Sequence, residues 1–525
     1  MRACYEDRAG AEGTLGFVQD TGQVHVSLER PPLTKIVATL GPATDTMEAL
    51  LRVVASGATI FRLNFSHGSV EEHEKRLTMV RQAADKTGRV LAALGDLCGP
   101  KIRVGKVPAP GIEVLSGQDV IIDAGAGESR GGDVPVLSCT YKEIAREVEA
   151  GARVLINDGA VRMLAVERAG EGLRCRVTVG GLVTSGKGIN LPDTEISAPA
   201  VTAEDRKWAA WAVEKGVDFL ALSFVRQASD VRELREWLGT AGKGVSGKET
   251  CAFGRLMPIV AKIEKPEALE NIDAILEAAD GIMVARGDLG VELDVARVPV
   301  AQKQLIARAR AFGKPCIVAT QMLESMIEKA GPTRAEASDV ANAILDGADA
   351  VMLSGETAVG KHAALAVETM RRIANATEDH VRAERKHFGS PLKWKEARDI
   401  PAAIAHAAWT LYDDMDAALV IVWSESGGTA RRLSQNSINV PILAFSSDPV
   451  AVRRMALLRG VHPILCRELP QHRSEFARMA DVAAVRGGWA RAGQPVVLVG
   501  GKPFGAPGTA NTVAVRIAGA LAGGE

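Results

Sequence analysis

The chain carries no surplus of charge of either sign: 63 Lys and Arg stand against 64 Asp and Glu, for a net charge of −1. A nucleic-acid or membrane-surface partner would demand a basic excess, so neither is expected. Paired cysteines are missing as well. The seven (Cys4, Cys98, Cys139, Cys175, Cys251, Cys316, Cys466) are scattered, odd in number and never spaced C-x-x-C. No disulfide framework or structural zinc site follows from that spacing. No stretch approaches the roughly 18 uninterrupted apolar residues of a membrane span, and the opening MRACYEDRAG has no apolar signal core. A cytoplasmic location is the expectation.

What is present is ordinary globular composition, 47% hydrophobic and 24% charged. At 525 residues the chain exceeds the size at which one core stops growing, so about two to four domains are expected. Eight short apolar runs recur, each followed by a helix-like stretch: 34–40, 58–65, 90–97, 218–225, 258–264, 281–286, 315–321 and 350–356. They are β-branched and mostly apolar, as strands buried on both faces should be. Helices are expected at 70–86, 203–215, 266–279, 297–313 and 335–347. Nearly every run ends in polar groups: Arg62 and Asn64, Asp96, Ser223, Lys262 and Glu264, Asp288, Thr320 and Gln321, Glu356. Polar ends on all strands suit the C-terminal mouth of a (β/α)8 TIM barrel, whereas an open sheet gathers them at one switch point.

The repeat is interrupted once. Residues 104–199 are rich in Gly and Val with short alternating segments, which predicts an inserted all-β lid domain. The pattern restarts after about residue 380, where 418–424, 441–447 and 495–501 suggest a C-terminal α/β domain. The expected division is therefore an N-terminal arm (1–32), a barrel (33–103 and 200–379), the lid (104–199) and the C-terminal domain (380–525). Residues 240–256 read as an exposed loop.

In FRLNFSHG (61–68), strand alternation puts Arg62, Asn64 and Ser66 on one face, a set that suits a phosphoryl group and a cation. It equally describes a solvated strand end. Lys262 and Glu264 in AKIE (261–264) also share a face, as a site or as a structural ion pair. VARGDLGVEL (284–293) adds Asp288 and free backbone amides near Gly287 that could bind an anion. Two carboxylates from adjacent strands, completed by substrate oxygens and water, are how Mg²⁺ is usually held. The lysine could then meet charge developing on the reacting group. Thr320 could orient an anion or relay a proton, or simply cap a helix. SGETAVGK (354–361) lacks P-loop spacing. Lone histidines such as His67 and His406 read as structural.

Over nearly its whole length the chain resembles the pyruvate kinases, from TKIVATLGPAT (34–44) through FRLNFSHG, GPKIRVG, KGINLP, AKIE, VARGDLGVE, ATQMLESM and DVANAILDGADAVMLSGETA to GTANTVAVRI (508–517). The resemblance implies transfer of the phosphoryl group of phosphoenolpyruvate to ADP, with Mg²⁺ or Mn²⁺. Arg62 would bind the transferring phosphate, and Lys262 would stabilise the phosphoryl and the enolate left behind. Glu264 and Asp288 would ligate the divalent cation, while the Gly287 and Asp288 backbone and Thr320 would hold the carboxylate. Arg103, Lys187, Asn64 and His67 would meet the nucleotide, and the lid would close over it.

One departure stands out. Much of the family shows D-T-K-G-P-E and uses K⁺, at a site equivalent here to Asn64, Ser66, Asp96 and Leu97. This chain reads Asp96-Leu97-Cys98-Gly99-Pro100-Lys101. The Lys101 ammonium is expected to replace the ion, giving weak or absent K⁺ dependence. The resemblance further implies a homotetramer and a phosphorylated effector at Ser424, Ser426 and Thr429. Glu425 in that loop disfavours a doubly phosphorylated sugar. Arg453 and Arg454 read as subunit or surface contacts. Aldolase-like lyases on the same barrel also hold Mg²⁺ with Glu and Asp but lack the lid and C-terminal domain. A metabolite sensor would have lost Lys262 or a metal carboxylate, and this chain keeps all three.

Overall fold

The computed structural model describes residues 31–241, 257–384, 400–501 and 503–520. The N-terminal arm up to residue 30, most of the expected 240–256 loop, Cys4 and Cys251 lie outside the described residues. The apolar runs form β1 (Lys35–Thr39), β2 (Ile60–Asn64), β3 (Ala92–Asp96), β4 (Phe219–Leu222), β5 (Ile259–Ile263), β6 (Gly281–Ala285), β7 (Cys316–Ala319) and β8 (Ala350–Leu353). All eight pair in parallel in sequence order, and β1 against β8 closes the barrel, as expected from the runs. Their burial on both faces explains the absence of polar alternation within each run.

Two layers of side chains hold this arrangement. Val37, Ile60, Leu94, Phe219, Val260, Met283, Ile317 and Met352 fill the barrel interior, joined by Ala456 and Leu457 from the C-terminal domain. The outer layer packs the opposite strand faces against the helices. Burying each such Val, Leu or Phe contributes roughly 1.5–3 kcal/mol.

Local chemistry sets the helix limits. Ser69 and Glu72 form a reciprocal capping box at the start of Val70–Thr87, and Thr333 and Glu336 do the same for Arg334–Asp346. The expected helix at 266–279 is broken into Pro266–Glu270 and Ile272–Ala278. Asn271 sits between them at φ −95°, ψ 11°, and its Nδ2 donates to the Arg226 carbonyl at 3.1 Å, a tertiary bond that competes with helix continuation.

The segment between β3 and β4 folds around its own core, from Ile102 to Ile196. Its main sheet runs Ile189–Asn190, Arg153–Ile156, Val161–Ala169, Gly172–Val179, Asp119–Asp123, Val136–Ser138. Buried and exposed residues alternate at the start of Val161–Ala169, the mark of a sheet with one wet face.

The C-terminal sheet has five strands where three were expected. The further two are Val461–Leu465, interrupted by His462 and Pro463, and the antiparallel edge Thr512–Ile517. Arg453, expected at a subunit or outer surface, instead reaches Asp218 at the base of β4 (2.7 Å), and Arg454 is buried. Both face inward because the C-terminal domain docks on the N-terminal end of the barrel. Among the described residues no helix is long and apolar enough to cross a membrane.

Candidate active site

At the C-terminal mouth, β2, β3 and β5 bring charged groups into contact. Arg62 Nε donates to Asp96 Oδ2 at 2.6 Å, and Lys262 Nζ lies 3.4 Å from Asp96 Oδ1 and 2.8 Å from Glu264 Oε1. Lys262 also donates to Ser223 Oγ at 2.7 Å. Asp96 and Glu264 are each 1% exposed. Such groups stay ionised inside a protein only when compensated.

The compensation is visible in each protonation preference. Burial alone would neutralise Lys262, but Asp96, Glu264 and Asp288 outweigh it and hold the ammonium above its ordinary range. Burial would also protonate Asp96, yet Lys262 and Arg62 overcome that and hold its carboxyl below the usual value. Glu264 goes the other way: burial, reinforced by the charge of Asp288, raises it despite the nearby lysine. A second positive charge at Glu264 and Asp288 would relieve that excess. The Phe224 amide donates to Glu264 Oε2 at 2.8 Å and fixes the carboxylate plane.

Backbone strain concentrates here. Phe224, Thr320 and Gln321 have φ of 55°, 69° and 53°, which non-glycine residues adopt at a cost of about 1–3 kcal/mol each. All three follow barrel strands at the mouth. At Gly99 (φ 65°) an added Cβ would lie 2.6 Å from the Phe224 ring, so the loop carrying Cys98 and Pro100 can pass the mouth only with glycine there.

Thr320 caps no helix in its own segment. Its Oγ1 accepts the Gly287 amide at 2.7 Å and donates to the Ala319 carbonyl. The amide expected to be free is therefore engaged, because Arg286–Glu292 is helical and Thr320 caps it from the neighbouring strand. An anion entering here must displace that hydroxyl or share it.

The remaining expected residues fall into separate groups. His67 is largely exposed, and the partial desolvation of its ring, with the positive charges of Arg103, Lys101 and Arg62, lowers its pKa. Its carbonyl is held by the buried His73 ring at 2.8 Å. Arg103 pairs in backbone with Gly188, its guanidinium reaches the Gly186 carbonyl, and the Val104 amide donates to the Lys187 carbonyl, so Arg103 and Lys187 lie on adjoining segments of the lid junction. Lys187 and Lys101 are exposed. Asn64 Oδ1 accepts the Ser66 amide, and the Leu97 carbonyl accepts the Ser223 hydroxyl. Among the described residues no cluster of three or more His, Cys, Asp or Glu could hold a metal. Glu264 and Asp288, the expected pair, feel each other's charge at the mouth.

Ser424, Ser426 and Thr429 lie apart, in the C-terminal domain at the start of Gly428–Gln435. Ser424 is buried and accepts the Ala430 amide. Glu425 turns to Trp423 Nε1 and to the Ser447 hydroxyl. Ser223, Lys265, Glu292 and Asn190 had no role assigned from sequence. Ser223 was visible as a strand-end hydroxyl, and Glu292 stands one helical turn beyond Asp288.

A closed parallel barrel whose mouth holds a buried lysine and an arginine among the carboxylates Asp96, Glu264 and Asp288 defines an enzyme that handles an anion with a divalent cation. Comparison with known proteins gives the particular family. The model for the pyruvate kinase barrel domain matches residues 32–367, and that for the pyruvate kinase alpha/beta domain matches 402–516. The chain is 41% identical to a pyruvate kinase of Mycobacterium tuberculosis over 482 residues, 92% of this chain and 98% of that protein. It is 40% identical to the Geobacillus stearothermophilus pyruvate kinase, covering 92% and 80% of the two chains. A solved pyruvate kinase from Cryptosporidium parvum superposes with a TM-score of 0.83 at 32% identity, covering 93% and 96%. The chain belongs to the pyruvate kinase family. It is a phosphotransferase of glycolysis that converts phosphoenolpyruvate and ADP into pyruvate and ATP.

Proposed function

We propose that Lys262 and Arg62, bridged by Asp96, form the cationic floor on which the phosphoryl group is transferred. The observation that carries this reading is the buried triad itself: two cations on one carboxylate, with Glu264 2.8 Å from the lysine. Arg62 binds the phosphate of phosphoenolpyruvate. Lys262 meets the charge on the departing phosphoryl and on the enolate oxygen. Thr320, with the Gly287 and Asp288 backbone, holds the substrate carboxylate. Glu264 and Asp288 would hold Mg²⁺ or Mn²⁺, whose chemistry when bound is charge neutralisation on phosphoryl and enolate oxygens. Arg103, Lys187, Asn64 and His67 meet the nucleotide, and residues 104–199 act as the lid that excludes water.

The same reading assigns the monovalent charge to Lys101, supported by its place in Asp96-Leu97-Cys98-Gly99-Pro100-Lys101 and by its lining one cleft with Asp288. A coupled assay of pyruvate formation should show full dependence on Mg²⁺ and little on K⁺. Lys101→Glu should make the enzyme K⁺-dependent. Collapse of the wild type in K⁺-free buffer, with Lys101→Glu unchanged, would overturn the Lys101 assignment. A cytoplasmic homotetramer, and a singly phosphorylated effector at Ser424, Ser426 and Thr429, complete the proposal.

A further inference from the structure

Lid and barrel meet at one buried carboxylate that the reaction does not call for. Glu292, 2% exposed, ends the helix Arg286–Glu292. Its Oε1 accepts from Lys265 Nζ at 2.8 Å and from Asn190 Nδ2 at 3.0 Å. Its Oε2 is buried with no hydrogen-bond partner. Asn190 belongs to the lid strand Ile189–Asn190, and the positive charge of the lid's Arg153 also feels Glu292. Lys265 directly follows Glu264, and Glu292 lies four residues after Asp288, so the two share a helix face. Asn190, Lys265, Asp288 and Glu292 line one small cleft between lid and barrel.

We propose that Glu292 is a positioning residue: it latches the lid to the barrel through Asn190 and, through Lys265 and its own helix, ties lid position to Glu264 and Asp288. A lid held at this point holds both carboxylates at a fixed separation. A lid released from it loosens the helix that carries Asp288. Glu292 touches no reacting atom. This rests on Glu264 and Asp288 being the cation ligands.

Asn190→Asp tests the latch by setting one carboxylate against another. In the metal-free enzyme, amide hydrogen exchange in peptides spanning 181–191 and 286–292 should quicken by about five-fold or more. Direct Mn²⁺ binding, and the KM for ADP, should weaken roughly ten-fold, the scale of one hydrogen bond to a charged group, with kcat changed by less than about three-fold. The swap Asn190→Asp with Glu292→Gln restores a donor–acceptor pair of reversed sense and should recover most of the loss. Unchanged exchange and Mn²⁺ binding in Asn190→Asp, or a swap no better than the single variant, overturns the latch. Should Asn190→Asp fail to fold, Asn190→Ala decides: a weakening of about three-fold supports the latch, and wild-type Mn²⁺ affinity overturns it. A wild type that binds no Mn²⁺ overturns the ligand assignment instead.

Discussion

Lys262→Ala should lower kcat by about 10²–10³-fold, or roughly 2.7–4 kcal/mol of transition-state stabilisation, the range seen when a single donor to a developing oxyanion is removed. KM for phosphoenolpyruvate should change far less, because Arg62, in the proposed reading, would still bind the ground-state phosphate. The reasoning depends on where the ammonium sits. It is held between Asp96 and Glu264, is hydrogen-bonded to Ser223, and remains charged against the pull of burial. A cation already desolvated and fixed by three partners needs no reorganisation when charge appears on the enolate. Loss of Lys262 also strips Glu264 of its only nearby cation among these partners, so the variant should melt lower. That second effect makes the control essential. A Lys262→Ala protein that folds, binds phosphoenolpyruvate and turns over normally would reduce the lysine to a structural counterion.

The barrel was legible because its signal is local. Runs such as DFLALSFV and PIVAKIE are mostly apolar, with polar residues only towards their ends, and that marks strands covered on both faces. Strand alternation likewise placed Lys262 and Glu264 together, since both belong to β5 or its first residue beyond. The five-stranded C-terminal sheet was only partly legible. Val461–Leu465 carries a proline and a histidine, and Thr512–Ile517 is a half-exposed antiparallel edge. Neither reads as a buried parallel strand.

Site contacts made across the barrel escaped for a different reason. Asp96 was noted as a strand end, but its bonds to Arg62, 34 positions away, and to Lys262 depend on which strands become neighbours. The Gly287 amide looked free because nothing local shows that Thr320, 33 positions on, will cap it. Asn190 and Glu292 meet across 102 positions, only because the lid returns over the mouth. Periodicity reports which face a side chain takes; the partner on that face is decided by closure of the barrel.

The largest stability effect should come from the opposite end of the barrel. Asp218 precedes β4, is 0% exposed, and accepts three donors: the Ala93 amide at 2.8 Å, Arg81 at 2.9 Å and Arg453 at 2.7 Å. Arg81 and Ala93 belong to the barrel, whereas Arg453 comes from the helix Pro449–Met455, adjoining Ala456 and Leu457 in the barrel interior. Asp218→Ala leaves two guanidinium groups and an amide short of an acceptor, and breaking a buried pair from one side costs about 3–5 kcal/mol. Arg453→Met should cost less, about 1–2 kcal/mol, because Asp218 keeps Arg81 and the Ala93 amide. Activity per folded molecule should survive in both, since β4 separates Asp218 from Ser223 by roughly 16 Å of extended chain. Denaturant midpoints and kcat measured side by side decide the matter. If Asp218→Ala unfolds no more easily than the wild type, the carboxylate does not carry the docking of the C-terminal domain; if it folds well but loses turnover, the two ends of the barrel are coupled more tightly than this geometry allows.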